Sequence, residues 1–448
     1  MNLKVRRLLF LTILSVFVVS SAYLVLSVQG MVIDFQKFRI VKTGGLFLNP
    51  SPGDAEIMID GEKPETISTG LFSNGVIVKN LPPGKYSVEI TKAGFSSWKK
   101  ILEVKSGFIT SASQIILWPD KLETAVTAEN ADDFTVTGKG IVFENRKNGV
   151  YFGEVALKGK RVFYSEPSSN VVVTDDDGIL FLTDLDAPDK AVNLGQIFNS
   201  LKQRQLELPG EVPVVGVAAH PFTDQKVLIF TKSSLYSLDF RKLALERLAT
   251  LEKIASSAVA SNEVFLWDGK TLHSVNLLLK TRSSYPLVMD ADSRLIVSKS
   301  GRRVLILDNK GGLHLYNFAA ATTTLVADNV HSVAFSQEEK RAALTGKDGS
   351  IAVLYLADYQ SDILHKAGTK TFVLPPRNRS IAEGIRWFPK TNNHLVGIVD
   401  GNLWVGEVDN RDLINSAVLV READKFAFVG NRIYFLKAGS IFETSLSF

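Results

Sequence analysis

The residues of this chain best suited to ligating a metal or moving a proton are six histidines, His220, His273, His314, His331, His365 and His394. Their spacing argues against both roles. No two stand four apart around a Glu, the arrangement that sets two imidazoles and a general base on one helix face. His273 and His314 instead hold the same place in consecutive copies of a repeat, which makes them equivalent strand positions. The run Asp175-Asp176-Asp177-Gly178 lacks the alternating carboxylates and distal Glu of a calcium loop and reads as a hairpin turn. With no cysteine, thiol nucleophiles, disulfides and Cys-ligated metal centres are excluded. A Gly-rich phosphate loop and a Gly-x-Ser-x-Gly elbow are both missing. The expectation is a non-enzyme with no catalytic residue, no cofactor and no metal, its ligand-binding residues left open. Charge gives little further guidance. A net +4 on 98 ionisable residues implies no broad nucleic-acid surface. Lys366, Lys370, Arg377 and Arg379 lie in one stretch, 360–380, which reads as a solvated loop, and the Asn378-Arg379-Ser380 acceptor motif falls within it.

The repeat itself is the clearest organising feature. Eight six- or seven-residue segments begin and end on apolar positions: Val150–Val155, Ile179–Leu185, Leu235–Phe240, Leu272–Leu277, Leu313–Phe318, Ile351–Leu356, Leu403–Val408 and Ile441–Leu446. Their mean spacing of about 42 residues is the length of one four-stranded propeller blade. Turn pairs precede several of them: Asn148-Gly149, Asp177-Gly178, Asp268-Gly269, Asp348-Gly349 and Asp400-Gly401 suit two-residue hairpins. Outer strands follow, among them Arg161–Ser165, Leu245–Leu248, Thr324–Val326, Thr371–Leu374 and Ala417–Val420. The eighth copy has no such follower. Its open edge needs a partner, and the spare segment 122–127, upstream of Phe134–Thr137 in the first blade, is expected to pair with 441–446 and close the ring. Eight blades are therefore expected over 119–448, with seven as the alternative if the weakly patterned unit near 169–192 is an insertion. In the longest gap, Leu194, Ile197, Phe198 and Leu201 have helical spacing up to Leu208-Pro209-Gly210, so a short amphipathic helix should cover a blade edge or the channel.

Residues 8–28 form an uncharged apolar run, long enough as a helix (about 32 Å) to cross a bilayer. Fourteen of its 21 residues are Leu, Ile, Phe or Val, which favours insertion by about 4 to 8 kcal/mol. The apolar run continues past the small residues Ser20-Ser21-Ala22, so an uncleaved anchor is expected rather than a cleaved signal. Lys4, Arg6 and Arg7 before it are balanced by Lys37, Arg39 and Lys42 after it. The short tail 1–7 then argues for a cytoplasmic N-terminus, a juxtamembrane linker at 29–43 and extracytoplasmic domains at the cell membrane.

Between linker and propeller, 44–118 alternates in Ala55–Ile59, Tyr86–Ile90 and Ile101–Val104, with turns at Asp60-Gly61, Asn74-Gly75 and Pro82-Pro83-Gly84. This is a small β-sandwich pattern in which Gly61, Gly75 and Gly84 supply positive φ and Tyr86, Phe95 and Trp98 fill the core. The segments Asn49–Gly61, Leu81–Ile90 and Ala93–Trp98 resemble the PEGA domain, although Pro52-Gly53-Asp54-Ala55 stands where the family has Pro-Glu-Gly-Ala. The full layout resembles prokaryotic membrane-anchored proteins with a PEGA domain and a C-terminal WD40-like propeller. That resemblance implies a surface-attached spacer or adhesion module and bears on location more than mechanism. The fold expectation is all-β apart from one N-terminal transmembrane helix. The functional expectation is a membrane-anchored scaffold that binds an envelope protein or glycan. The alternative is an envelope hydrolase whose residues converge at the channel, and a cluster of carboxylates with raised pKa there would favour it.

Overall fold

The computed structural model describes all residues except 1–2, 29, 35–38, 69–74, 146, 148, 166–168, 291, 377–379 and 447–448. Arg377, Asn378 and Arg379 of the basic loop, and the turn residues Asn74 and Asn148, thus lie outside the described residues. Eight four-stranded antiparallel sheets follow the sandwich, and their strand order defines an eight-bladed propeller. All eight repeat segments are third strands of blades, from Gly149–Phe152 in blade 1 to Ser440–Ser445 in blade 8. The unit near 169–192 is a true blade, with strands Arg161–Ser165, Asn170–Thr174, Leu180–Asp184 and Ala191–Asn193. The second and third strands are packed on both sides by neighbouring blades and so are rich in buried apolar positions, as in Val304–Leu307 and Ile351–Tyr355, which are buried along their whole length. Outer strands such as Ala244–Thr250 expose alternate positions instead.

Blade 8 takes its outer strand from upstream of blade 1. Ala125–Glu129 pairs antiparallel with Ser440–Ser445, bringing Val126 opposite Phe442 and Ala128 opposite Ile441. The pairing starts three residues later than the segment expected from sequence.

Several local expectations change. Arg161–Ser165 is the first strand of blade 2, whereas blade 1 ends in the short Val155–Leu157. The tight turn at Gly153, φ +58, brings Phe152 opposite Val155 and leaves room for only three outer residues. The Asp-Gly pairs are mostly not two-residue hairpins. Val399 pairs with Asn402 across Asp400-Gly401, but Trp267 pairs with Leu272, Thr174 with Leu180 and Thr345 with Ile351. In the longer loops the Asp carboxylate closes the turn itself. One oxygen of Asp268 accepts from Lys270 N and Thr271 N at 2.8 and 2.7 Å, and Asp308 does the same for Lys310 and Gly312. Asp175 accepts from Asp177 N and Ile179 N, so the Asp-rich run is a turn of this kind. Residues 29–43 are not simple linker, because Met31–Asp34 pairs with Arg39–Lys42. Gly61 has φ +84, but Gly84 starts a strand outside the left-handed region.

The sandwich stacks a four-stranded sheet, which includes Gly44–Ser51 and Ile109–Ile116, on the three strands Glu56–Ile59, Gly84–Thr91 and Trp98–Val104. Trp98 is 2% exposed and lies in its core, so it offers no open aromatic platform. Tyr86 and Phe95 pack partly buried against the same core. Both sheets end in a strand with an unpaired edge, and the propeller covers each. Along one edge, Lys99 N donates to Asn415 Oδ1 and Ile101 N to Asp412 Oδ2, at 3.0 and 2.8 Å. Along the other, Ser113 N donates to Asp362 Oδ2 and Arg411 donates to Ser111 O. Between them Lys100, fully buried, reaches Glu407 at 2.5 Å, Asp409 at 3.4 Å and the Asp409 carbonyl at 2.6 Å. The Trp98 indole N–H donates to the other Glu407 oxygen. Trp118, at the expected domain boundary, stands edge-on to Phe388 and His394 in the propeller core.

His394 is buried beside this seam, with Nδ1 3.0 Å from Thr391 Oγ1. Burial, helped by the Lys100 charge, pushes its pKa down to about 3. On unfolding it regains an ordinary value near 6.5, so below that pH the unfolded chain binds a proton that the folded chain excludes. Folded stability should therefore fall as pH drops from about 6.5 toward about 3, with a slope approaching 1.4 kcal/mol per pH unit. Burial also holds His220 and His365 low, in the same direction. Urea midpoints of His394→Gln between pH 6.5 and 4.5 should accordingly show a flatter slope than the parent; an unchanged slope would assign the acid sensitivity elsewhere. A second expectation concerns closure. Deleting 122–129 removes four register pairs, at about 1 kcal/mol per hydrogen bond, and should cost about 4 kcal/mol in thermal unfolding and promote self-association on gel filtration.

Candidate binding site at the channel mouth

The first strands line the axis, as contacts between neighbouring ones show, for example Ser256–Val259 with Arg294–Val297 and Val330–Phe335 with Glu383–Trp387. Four consecutive ones, in blades 6, 7, 8 and 1, enclose a hollow of about 670 Å³. Its apolar wall includes Phe134, Phe335, Trp387, Phe426 and Phe428, and its polar groups are Thr135, Gln337, Arg386, Asn392 and Lys425. No carboxylate among the described residues lines it. Lys425 pairs with Asp133 at 2.5 Å and lies over the Phe134 ring. Arg386 is exposed and pairs with no carboxylate among the described residues.

The wall is held from behind. Arg341, only 1% exposed, is sandwiched between Tyr359 and Trp387, its guanidinium carbon 4.0 and 4.5 Å from the ring centroids. It also pairs with Glu338 at 2.6 Å and donates to the Asn392 carbonyl at 2.6 Å. The Trp387 indole N–H donates to Ala334 O, which links blades 6 and 7. The stack fixes the aromatic face that Trp387 turns toward the hollow. Tyr359–Gln360 and Leu364–His365 form a small hairpin behind it, and His365 stacks on Tyr355 at 4.1 Å. In the described part of the basic loop, Lys366 pairs with Asp358 and Lys370 lies over Phe372.

The six histidines do not converge. His273 and His314 each meet the Asp that opens the preceding turn, Asp268 at 3.0 Å and Asp308 at 3.1 Å. Burial pulls both carboxylates upward, but the His contact and the backbone N–H groups together hold them below the usual range. Every carboxylate with a displaced pKa among the described residues is displaced downward. Asp409 is one of them: burial raises it, and Arg411 and Lys100 outweigh the effect. No group of three or more His, Asp or Glu among the described residues could hold a metal ion. The helix expected in the long gap spans Leu194–Leu206 and is capped by the Asn193 side chain accepting from Gln196 N. It covers a blade edge, not the channel. Gln205 donates to Leu243 O and accepts from Leu245 N, which closes the rim of blade 3, and Leu194, Phe198 and Leu201 pack beneath it.

These features define an eight-bladed β-propeller in hydrogen-bonded contact with a small β-sandwich and preceded by a helix, Leu3–Val28, that is long and apolar enough to cross a membrane. No family model and no curated protein matches the chain. Among solved structures it is similar to BamB from Moraxella catarrhalis, with 12% identity and a TM-score of 0.42 over 73% of this chain and 99% of that one. Hsv2 from Kluyveromyces lactis is similar at 8% identity and a TM-score of 0.43, over 65% and 98%. At these values the likeness bears on neither ligand nor partner, and the architecture rests on the strand order above.

Replacing Arg341 with Ala removes the support of Trp387 and leaves Glu338 without its partner. Loss of a buried ion pair partner costs about 3 to 5 kcal/mol, at the lower end here because Glu338 is partly exposed. Tryptophan emission should also shift to the red as the Trp387 ring loosens. Unchanged emission and stability would show that the stack does not hold the wall.

Proposed function

We propose that this chain is a membrane-anchored, non-catalytic binding platform. Its N-terminal helix spans the bilayer with the short tail in the cytoplasm, and the PEGA-like sandwich holds the propeller a fixed distance from the extracytoplasmic surface. The channel mouth takes an envelope protein segment or glycan that carries negative charge. The observation behind this reading is the hollow itself: five aromatic rings contribute its apolar surface, and Arg386 supplies positive charge that no carboxylate among the described lining residues offsets, while Lys425 is paired with Asp133. Aromatic and guanidinium groups around a concave patch are the usual anchors of recognition. The downward displacement of the carboxylates also supports binding over general-acid chemistry, which needs a raised one. The seam supports the spacer role, because the sandwich edges are occupied by propeller side chains.

The test uses the full chain in detergent as bait for solubilised membranes of the source organism. Arg386→Glu combined with Lys425→Glu reverses the charge of the hollow and should lower recovery of a captured partner at least about tenfold, with thermal melting preserved. Equal recovery by parent and double variant would remove the channel mouth from the interaction.

A further inference from the structure

The turn 105–108 joins the two covered edge strands of the sandwich at the end where the chain enters from the N-terminal helix. Phe108 is 68% exposed and Ile109 56%, although both stand beside a well-packed core. Hydrogen bonds connect this turn to the end of the helix in two steps. Gly107 N donates to Thr43 O at 2.9 Å, and Thr43 donates to Gly30 O through both its N–H and its hydroxyl, at 2.7 Å each. Gly30 lies two residues beyond Val28, where the helix ends. Lys42 runs across Gly107, with its Cε and Nζ 3.3 Å from the position a Cβ would take there. Lys105, at the start of the turn, is exposed, as is Ile40 on the adjoining hairpin.

We propose that this apolar tip with its lysines is a membrane-contact site: Phe108 and Ile109 enter the interfacial region of the bilayer that holds the chain's own helix, and Lys42 and Lys105 meet anionic headgroups. The proposal rests on the membrane-spanning reading above. A bilayer is the occupant favoured by position, because two successive hydrogen-bonded steps tie the tip to Gly30, two residues beyond the helix end. Its composition fits as well. An exposed aromatic and an aliphatic flanked by basic residues match the interface, where rings sit at headgroup depth and lysines snorkel toward phosphate. With this second contact the sandwich is held at two points and its tilt is fixed.

The absence of cysteine makes single-site labelling of the full chain direct. Ser106→Cys, in the same turn, leaves Phe108 in place; Leu14→Cys reports on the helix and Leu279→Cys on a remote exposed propeller position. Each is labelled with a small fluorophore and reconstituted in vesicles of equal parts phosphatidylcholine and phosphatidylglycerol carrying a headgroup or acyl-chain nitroxide. The headgroup nitroxide should quench the label at 106 at least about twofold more than that at 279, and Phe108→Ser with Ile109→Ser, or Lys42→Gln with Lys105→Gln, should abolish the difference. Equal quenching at 106 and 279, with Leu14→Cys strongly quenched by the acyl-chain nitroxide, overturns the contact and leaves the anchor intact. If position 14 is not quenched, the spanning reading and this one fall together. Shielding of 106 from aqueous iodide without lipid quenching would mean that a protein covers the tip, which also overturns the proposal.

Discussion

The buried ammonium of Lys100 is the contact on which the relation between the two folded units depends. It is the third residue of a sandwich strand whose neighbours Trp98 and Leu102 are core, so the pleat points it inward and it cannot reach water. A lone charge there would cost several kcal/mol, and Glu407 and Asp409 of blade 7 offset that cost only while the propeller is in place. The same strand leaves Lys99 and Ile101 N–H groups facing outward, where Asn415 and Asp412 accept from them. Each unit thus completes the polar needs of the other. The sandwich edges would otherwise be sites for adventitious strand pairing.

The seam and the hollow meet in one blade. Blades 6 and 7 supply much of the lining of the hollow, and blade 7 also carries Glu407, Asp409 and Arg411 at or just beyond its third strand. The hollow and the support for the sandwich therefore draw on the same end of one blade, where Trp387, Leu395 and Gly406 are in register and His394 stands opposite Glu407. Arg341 and Trp387 hold it at the first strand, and Lys100 meets it at the third.

The repeat was readable because third strands are packed from both sides and must begin and end apolar, whatever the blade does. The missing outer strand was readable for the same reason, since an eighth copy without a follower needs a partner from elsewhere. Blade 1 was misread at Arg161–Ser165 because a first strand and an outer strand have similar length and polarity, and only the turn at Gly153 separates them. The seam left no local trace. Lys99-Lys100 looks like a solvated pair, and the partners of Trp98 and Lys100 lie 309 residues away in blade 7. The channel hollow is invisible for a related reason: Phe134, Phe335, Trp387 and Phe426 come from four blades, and each alone is an ordinary apolar strand residue. The histidines were legible as strand positions, but the link of His273 and His314 to their turn aspartates required the fold.

The ring is locked by a ribbon that precedes seven of the blades it holds together. During synthesis Ala125–Glu129 leaves the ribosome early and must wait, unpaired, while more than three hundred further residues follow before Ser440–Ser445 arrives. Until then every intermediate is an open fan with a bare leading edge, so the wheel locks only after translation of its last spoke. A ribosome stalled or a message cut short before Ser440–Ser445 would release a protein that has seven complete blades and no latch.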